Sequence, residues 1–160
     1  MQLGLATVFD ITIAKKMGFL YTIYGLVENQ ATLYVGQTRG WTGALGRLAQ
    51  HLSDSDANTY LQRLSDVYEY HEVPLEKVDF AAMKFTSREE FQIDDQEYRI
   101  AVENWVQARL KNWIREKNLS IFVASRTRSS TYSQLPYVKE EATRIANALE
   151  PWILECHRIS

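Results

Sequence analysis

The sequence predicts an α+β fold, a small and mostly antiparallel three-stranded β-sheet flanked by α-helices. Three observations carry that expectation. Two runs rich in β-branched and aromatic residues, 20–27 and 31–37, flank the polar stretch "ENQA". A third such run is "KVDFAAMKFT". Apolar residues then recur at helical spacing over 42–52 and along a longer segment, about 94–117.

Each element follows from its residues. Residues 1–17 form an N-terminal arm or an extra strand, and their pattern fits both. The first two runs make a hairpin; with Asn29 and Gln30 as a two-residue turn, Gly25 opposes Tyr34. Tyr21 shares the parity of Gly25, so both tyrosines then point to one side of the sheet. Leu45, Leu48, Ala49 and Leu52 mark an amphipathic helix, and a second short helix covers "ANTYLQRLSDVYEY" before Pro74 interrupts. Asp94 and Asp95 suit the N-terminus of the long helix that ends near Lys117. "SRTRSSTYSQ" reads as a polar loop, and Pro136 opens a last helix reaching about Leu149. The resulting division is an arm over 1–17, a domain over 18–124, and a polar loop with a C-terminal helical extension over 125–160.

Composition narrows the classes. One domain's worth of chain, 160 residues, carries a formal net charge of −2, which argues against a binder that holds phosphates by bulk charge. Few cations focused in one site remain compatible with it. Cys156 is the single cysteine, so there is no disulfide framework, and no cysteine–histidine cluster has zinc spacing. No apolar run approaches the roughly 18 residues of a membrane span. The opening lysines follow the apolar stretch, the wrong order for a signal peptide. The expectation is a reduced, cytoplasmic protein with no membrane partner.

Chemistry-bearing residues stand out in two places. Arg47 and His51, four apart on a helix, share a face. An arginine can fork onto a phosphate, and a histidine can pass a proton near neutral pH. Glu103 falls among Val102, Val106, Leu110, Trp113 and Ile114, the apolar stripe of the long helix. A carboxylate placed there is partly desolvated and needs a cation. Either a basic side chain or a magnesium ion meets that need, since magnesium is commonly held by one or two carboxylates with water and phosphate. Each tyrosine, taken alone, also fits an ordinary strand position.

Together these residues resemble the GIY-YIG nuclease family. Tyr21 in "FLYTI", Tyr34 in "YVG", Arg47 and His51 in "RLAQH", and Glu103 in "AVENWV" occur in family order and at family-like distances. The first element reads Phe19-Leu20-Tyr21, so its glycine is missing, with Gly18 one residue earlier. The family's late asparagine is matched by Asn118, with Asn112 as the second match. The likeness spans about residues 18 to 120; the start and the tail beyond Ala124 resemble no known element.

The resemblance implies a metal-dependent endonuclease that hydrolyses phosphodiester bonds in DNA, with Mg2+ as cofactor and Mn2+ as an alternative. Glu103 is the implied metal ligand, Arg47 the phosphate contact, Tyr21 the base and Tyr34 an orienting group. His51 bonds Tyr21 and takes its proton onward. A phenol, ordinarily near pKa 10, serves as base only beside such positive charge. The chain length suits a restriction, defence or mobile-element type, as a homodimer or within a larger effector assembly. A non-cleaving nucleic-acid-binding or assembly module of the same fold is the alternative. An unrelated interaction domain is the third reading.

Overall fold

The structure, a computed structural model, describes residues 10–53, 59–69 and 72–159. The arm expected over 1–17 lies outside the described residues for its first nine positions. A short 3-10 helix, Ile11–Ala14, follows them.

The hairpin pairs β1 (Phe19–Val27) with β2 (Gln30–Thr38). Its turn is Glu28–Asn29, one residue earlier than expected, with both residues at positive φ (49° and 65°). Two positive φ values are what a tight hairpin turn of this hand requires, and asparagine tolerates them better than Gln30 would. The partner of every β1 residue therefore moves by two: Gly25 opposes Thr32, and Ile23 opposes Tyr34. A shift of two preserves the face. Tyr21 and Tyr34 still share it.

Among the described residues the sheet has four strands in the order β3-β1-β2-β4, a mixed sheet in place of the three-stranded, mostly antiparallel one expected. β3 (Leu75–Lys84) lies antiparallel to β1 at one edge, and β4 (Ile121–Val123) lies parallel to β2 at the other. Three residues are too few to display an alternating pattern, and a parallel neighbour across so long a crossover has no local signature. The mixed sheet belongs to the α+β class all the same.

Helices cover both faces. α1 (Gly43–His51) and α2 (Thr59–Tyr68) meet the side carrying Tyr21, Ile23 and Tyr34, where Ala44, Tyr60 and Leu64 complete a core. α1 forms as expected, yet it buries Gly43, Ala44 and His51, while Leu52 of the expected apolar stripe stays exposed. Gly43 sits at φ +60°, and a Cβ there would lie 2.2 Å from the carbonyl oxygen of Ile13. Only glycine lets the preceding segment lie that close.

The short α3 (Glu89–Gln92) leads into α4 (Glu97–Glu116), whose Val102, Val106, Leu110 and Ile114 pack on the other face, against Leu20, Tyr24, Leu33 and Val35. Asp95 accepts from the Glu97 N–H at 3.0 Å and so serves the first turn of α4. α5 (Pro136–Ile159) closes the same core with Ile145, Leu149 and Ile153. It runs through Pro151 rather than stopping near Leu149. Proline removes one helical hydrogen bond, and burial of Ile153 and Cys156 beyond it offsets that loss. The C-terminal segment thus shares the main core. Among the described residues no helix is long and apolar enough to cross a membrane.

Candidate active site

Tyr21 and Gly36 are register partners across the hairpin. A Cβ on Gly36 would lie 2.4 Å from the Tyr21 hydroxyl and 2.5 Å from its ring. The glycine of "YVG" therefore has a local physical reason: it leaves room for the phenol to lie across β2. Tyr34 stacks beside it, with ring centroids 6.3 Å apart and planes 27° apart.

α1 brings His51 into the same cluster. Its Nε2 lies 2.7 Å from the Tyr21 hydroxyl, and its Nδ1 accepts the backbone N–H of Tyr60 at 3.2 Å. An N–H can only donate, so Nδ1 must present its lone pair and the neutral ring carries its proton on Nε2. His51 then donates to the Tyr21 oxygen. Burial, reinforced by the Arg47 charge, pushes the imidazole down to about 4, so the neutral form holds near neutral pH. A ring already protonated at Nε2 cannot receive the tyrosine's proton there, which corrects the relay expected of His51. What it does here is hold the phenol oxygen by donating to it.

Burial, with Tyr34 alongside, raises the Tyr21 phenol well above the usual range, while the charge of Arg47 and a hydrogen bond from it work the other way. Tyr34 is raised for the same first reason and then by the Glu103 charge. Glu103, on α4, is itself pushed up to about 7 by burial; the charges of Arg128 and Arg63 and a hydrogen bond from Gln107 oppose that. Gln107 Nε2 donates to Glu103 Oε1 at 2.9 Å. Among the described residues Glu103 closes no ion pair, so a basic side chain in direct contact does not account for its place in the apolar stripe.

Tyr21, Tyr34, Arg47 and Glu103 line one cavity of about 430 Å³, together with Arg39, Asp94, Arg99 and Arg128. Three arginines absent from the sequence-based set, Arg39, Arg99 and Arg128, thus stand in the walls. Two of them are committed. Arg39 pairs with Asp94, and the buried Arg99 donates to the carbonyls of Phe91 (3.2 Å) and Ile93 (2.6 Å) and to Gln37 (2.9 Å). The charge of Arg63, on α2, also reaches Tyr34 and Glu103, and its buried Nε and Nη1 have no hydrogen-bond partner among the described residues. A chain of net charge −2 therefore gathers cations around one hollow. Such a hollow favours an anion with several oxygens, a phosphate above all.

Neither asparagine joins it. Asn118 stands two residues past the end of α4, at φ 53°, where the Leu119 N–H reaches the Ile114 carbonyl at 3.0 Å and its own N–H reaches that of Arg115 at 3.1 Å. This is a left-handed helix terminator. It also stands fifteen residues beyond Glu103, about 22 Å along the axis at 1.5 Å per residue. Asn112 is exposed and accepts from Arg115 at 3.1 Å, lining a separate groove between α4 and α5.

Among the described residues no group of three or more acidic, histidine or cysteine side chains could hold a metal, and of the two carboxylates lining the cavity Asp94 is paired with Arg39. The other, Glu103, still fits magnesium, which keeps most of its water and takes substrate oxygens. In comparisons with known proteins, no family model, no curated protein and no solved structure matches the chain.

Proposed function

We propose that the protein is a metal-dependent endonuclease hydrolysing phosphodiester bonds, in DNA, of the restriction, defence or mobile-element type that its likeness to GIY-YIG nucleases suggests. The observation that carries this reading is the meeting of Tyr21, Tyr34, Arg47 and Glu103 in one arginine-walled cavity, with His51 bonded to Tyr21. Four residues chosen by their order in the sequence converge in space.

Each has a task that its surroundings suit. Arg47 binds the scissile phosphate and meets the charge gathering on its oxygens. Tyr21 takes the proton of the attacking water at its phenolate oxygen, and His51 Nε2–H holds that oxygen in place. Tyr34, packed against both Tyr21 and His51, orients the water or a phosphate oxygen. Glu103 is the cavity carboxylate not paired with an arginine among the described residues, and it would hold Mg2+, or Mn2+ in its place. When bound, that ion supplies Lewis-acid support to the leaving 3′ oxygen and positive charge that favours the phenolate. Without that charge the buried phenol is too weakly acidic to serve as base at neutral pH.

Nicking of supercoiled plasmid in Mg2+, with and without chelator, tests the reading. Wild-type protein should cut, and Glu103→Ala should remain folded and lose cleavage. A Glu103→Ala protein that still cuts, or a wild type inert on DNA in both Mg2+ and Mn2+, overturns it.

A further inference from the structure

The polar loop after β4 is stitched to the site more tightly than its composition suggests. The Ala124 N–H donates to the Leu33 carbonyl at 2.8 Å. Ser125 Oγ then accepts the Val35 N–H at 2.5 Å and donates to the Val35 carbonyl at 3.1 Å, so one buried side chain continues the pairing that β4 began. Three residues on, the side-chain amide of Asn104 takes both main-chain groups of Arg128: Oδ1 accepts its N–H at 3.1 Å, and Nδ2 donates to its carbonyl at 2.5 Å. Ser130 Oγ adds a bond to the Glu97 carbonyl at 3.3 Å.

Asn104 is the neighbour of Glu103 on α4, so this double clamp fixes the Arg128 backbone beside the carboxylate. The side chain is left over. It lines the cavity, is exposed, and closes no ion pair among the described residues. Its charge nevertheless acts on both Glu103 and Tyr34. An anchored backbone carrying a free guanidinium into an anion-sized hollow is suited to a ligand that arrives from outside. A planar fork of donors matches phosphate oxygens.

We infer that Arg128 is a second substrate-binding arginine, which receives a nucleic-acid phosphate beside Glu103, and that Asn104 is the positioning residue that holds it there. The inference rests on the nuclease reading and adds to the site a residue from outside the span of the family likeness. It has a signed consequence. In the free protein Arg128 supplies positive charge to Glu103 and so competes with an incoming cation, while toward nucleic acid it is purely attractive. Removing it should therefore move the two affinities in opposite directions.

The test uses full-length protein and two probes, Mn2+ alone and a labelled DNA duplex in Ca2+ with chelator controls. Arg128→Ala should weaken duplex binding roughly 10–100-fold, the worth of a charged hydrogen bond. It should also lower the salt slope by about one phosphate contact and bind Mn2+ at least as tightly as wild type. Arg128→Lys should return Mn2+ binding to the wild-type value but recover duplex affinity only in part. Asn104→Ala should weaken duplex binding in the same direction and less. Unchanged duplex affinity and salt slope in an Arg128→Ala protein whose wild type binds and cuts would overturn the inference and leave the nuclease reading standing. Weaker Mn2+ binding in Arg128→Ala would also overturn it, by making Arg128 a prop for Glu103. A wild type that neither binds nor cuts nucleic acid defeats the nuclease reading first, and the inference with it.

Discussion

β1 carries two tyrosine–histidine pairs on opposite faces, and they do different things. Tyr21 meets His51 at 2.7 Å on the side of α1 and α2; three residues later Tyr24 meets His157 Nδ1 at 3.0 Å on the side of α4 and α5. The side-chain types are the same. Around the first pair stand Arg47, Tyr34 and Glu103, a backbone N–H that fixes the imidazole tautomer, and an open cavity. The second belongs to the main core, with Leu33 and Asp79 as register partners of Tyr24 and Asp79 paired to Lys77 at 3.0 Å. A phenol bonded to an imidazole is thus no site by itself, even with a charge pair beside it. The open cavity and its arginines make the difference, and they come from other elements.

The sharpest way to break this comparison is to remove one oxygen from each tyrosine. Tyr21→Phe should slow the chemical step by roughly 10²–10⁴-fold, the range for losing a general base. Tyr24→Phe should leave it unchanged, with a stability loss of about 1 kcal/mol for the hydrogen bond. Single-turnover cleavage at saturating Mg2+ reads both. Equal rates for the two variants would leave Tyr21 as a packing residue.

A complementary change strikes the apolar face. Leu110 is fully buried on α4, and Leu110→Ala should cost about 2–5 kcal/mol of stability through transfer and cavity terms. The rate per folded molecule should stay near that of wild type, because Leu110 lies about two helical turns beyond Glu103 and the tyrosines, Arg47 and His51 are held by β1, β2 and α1. Urea unfolding beside active-site titration checks the separation. A fall in rate matching the fall in stability would show that the two faces act as one unit.

The smallest effect concerns pH. His51 sits at about 4 in the folded protein, below its ordinary 6.5, so its contribution is full above pH 6.5 and is lost as pH falls toward 4. Glu103 sits at about 7, above its ordinary 4.5, so its contribution is full below pH 4.5 and is lost as pH rises toward 7. Between those limits the two slopes oppose each other. Glu103→Gln leaves the His51 slope uncovered, and in chelator its stability should rise relative to wild type by up to about 1 kcal/mol per pH unit from pH 4.5 to 6.5. Parallel stability–pH curves for the two proteins would contradict this.

Much of the site could be read from local pattern. The tyrosines share a face because strand parity survives an even shift of register, so misplacing the turn by one residue did no harm. Arg47 and His51 share α1 by helical spacing, and Glu103 betrays itself as a charge within an apolar stripe. What stayed hidden is non-local. Of Leu45, Leu48, Ala49 and Leu52, Leu48 packs on the core while Ala49 and Leu52 stay exposed, because α1 is turned to bury His51. Three-residue β4 has no period of its own. Asn118 fits a family position by spacing, yet an asparagine just past a helix is also a common terminator, and sequence does not separate the two. Arg128 lay in a loop whose composition signals only solvation; its neighbourhood is set by an amide on α4 that looks like any exposed helix residue.

The Ser125 link to Val35 spans 90 residues of chain, and it has a bearing on synthesis. A growing chain emerges N-terminus first, and the hairpin with its two phenols is out long before α4 and the segment behind β4. Loop closure across that span must wait for the later residues. Until Arg128 has left the ribosome the hollow lacks a wall and one of its cations. A fragment released early would carry the tyrosines without the complete anion trap, so a cell making this protein meets the finished site only after Arg128 has been synthesised.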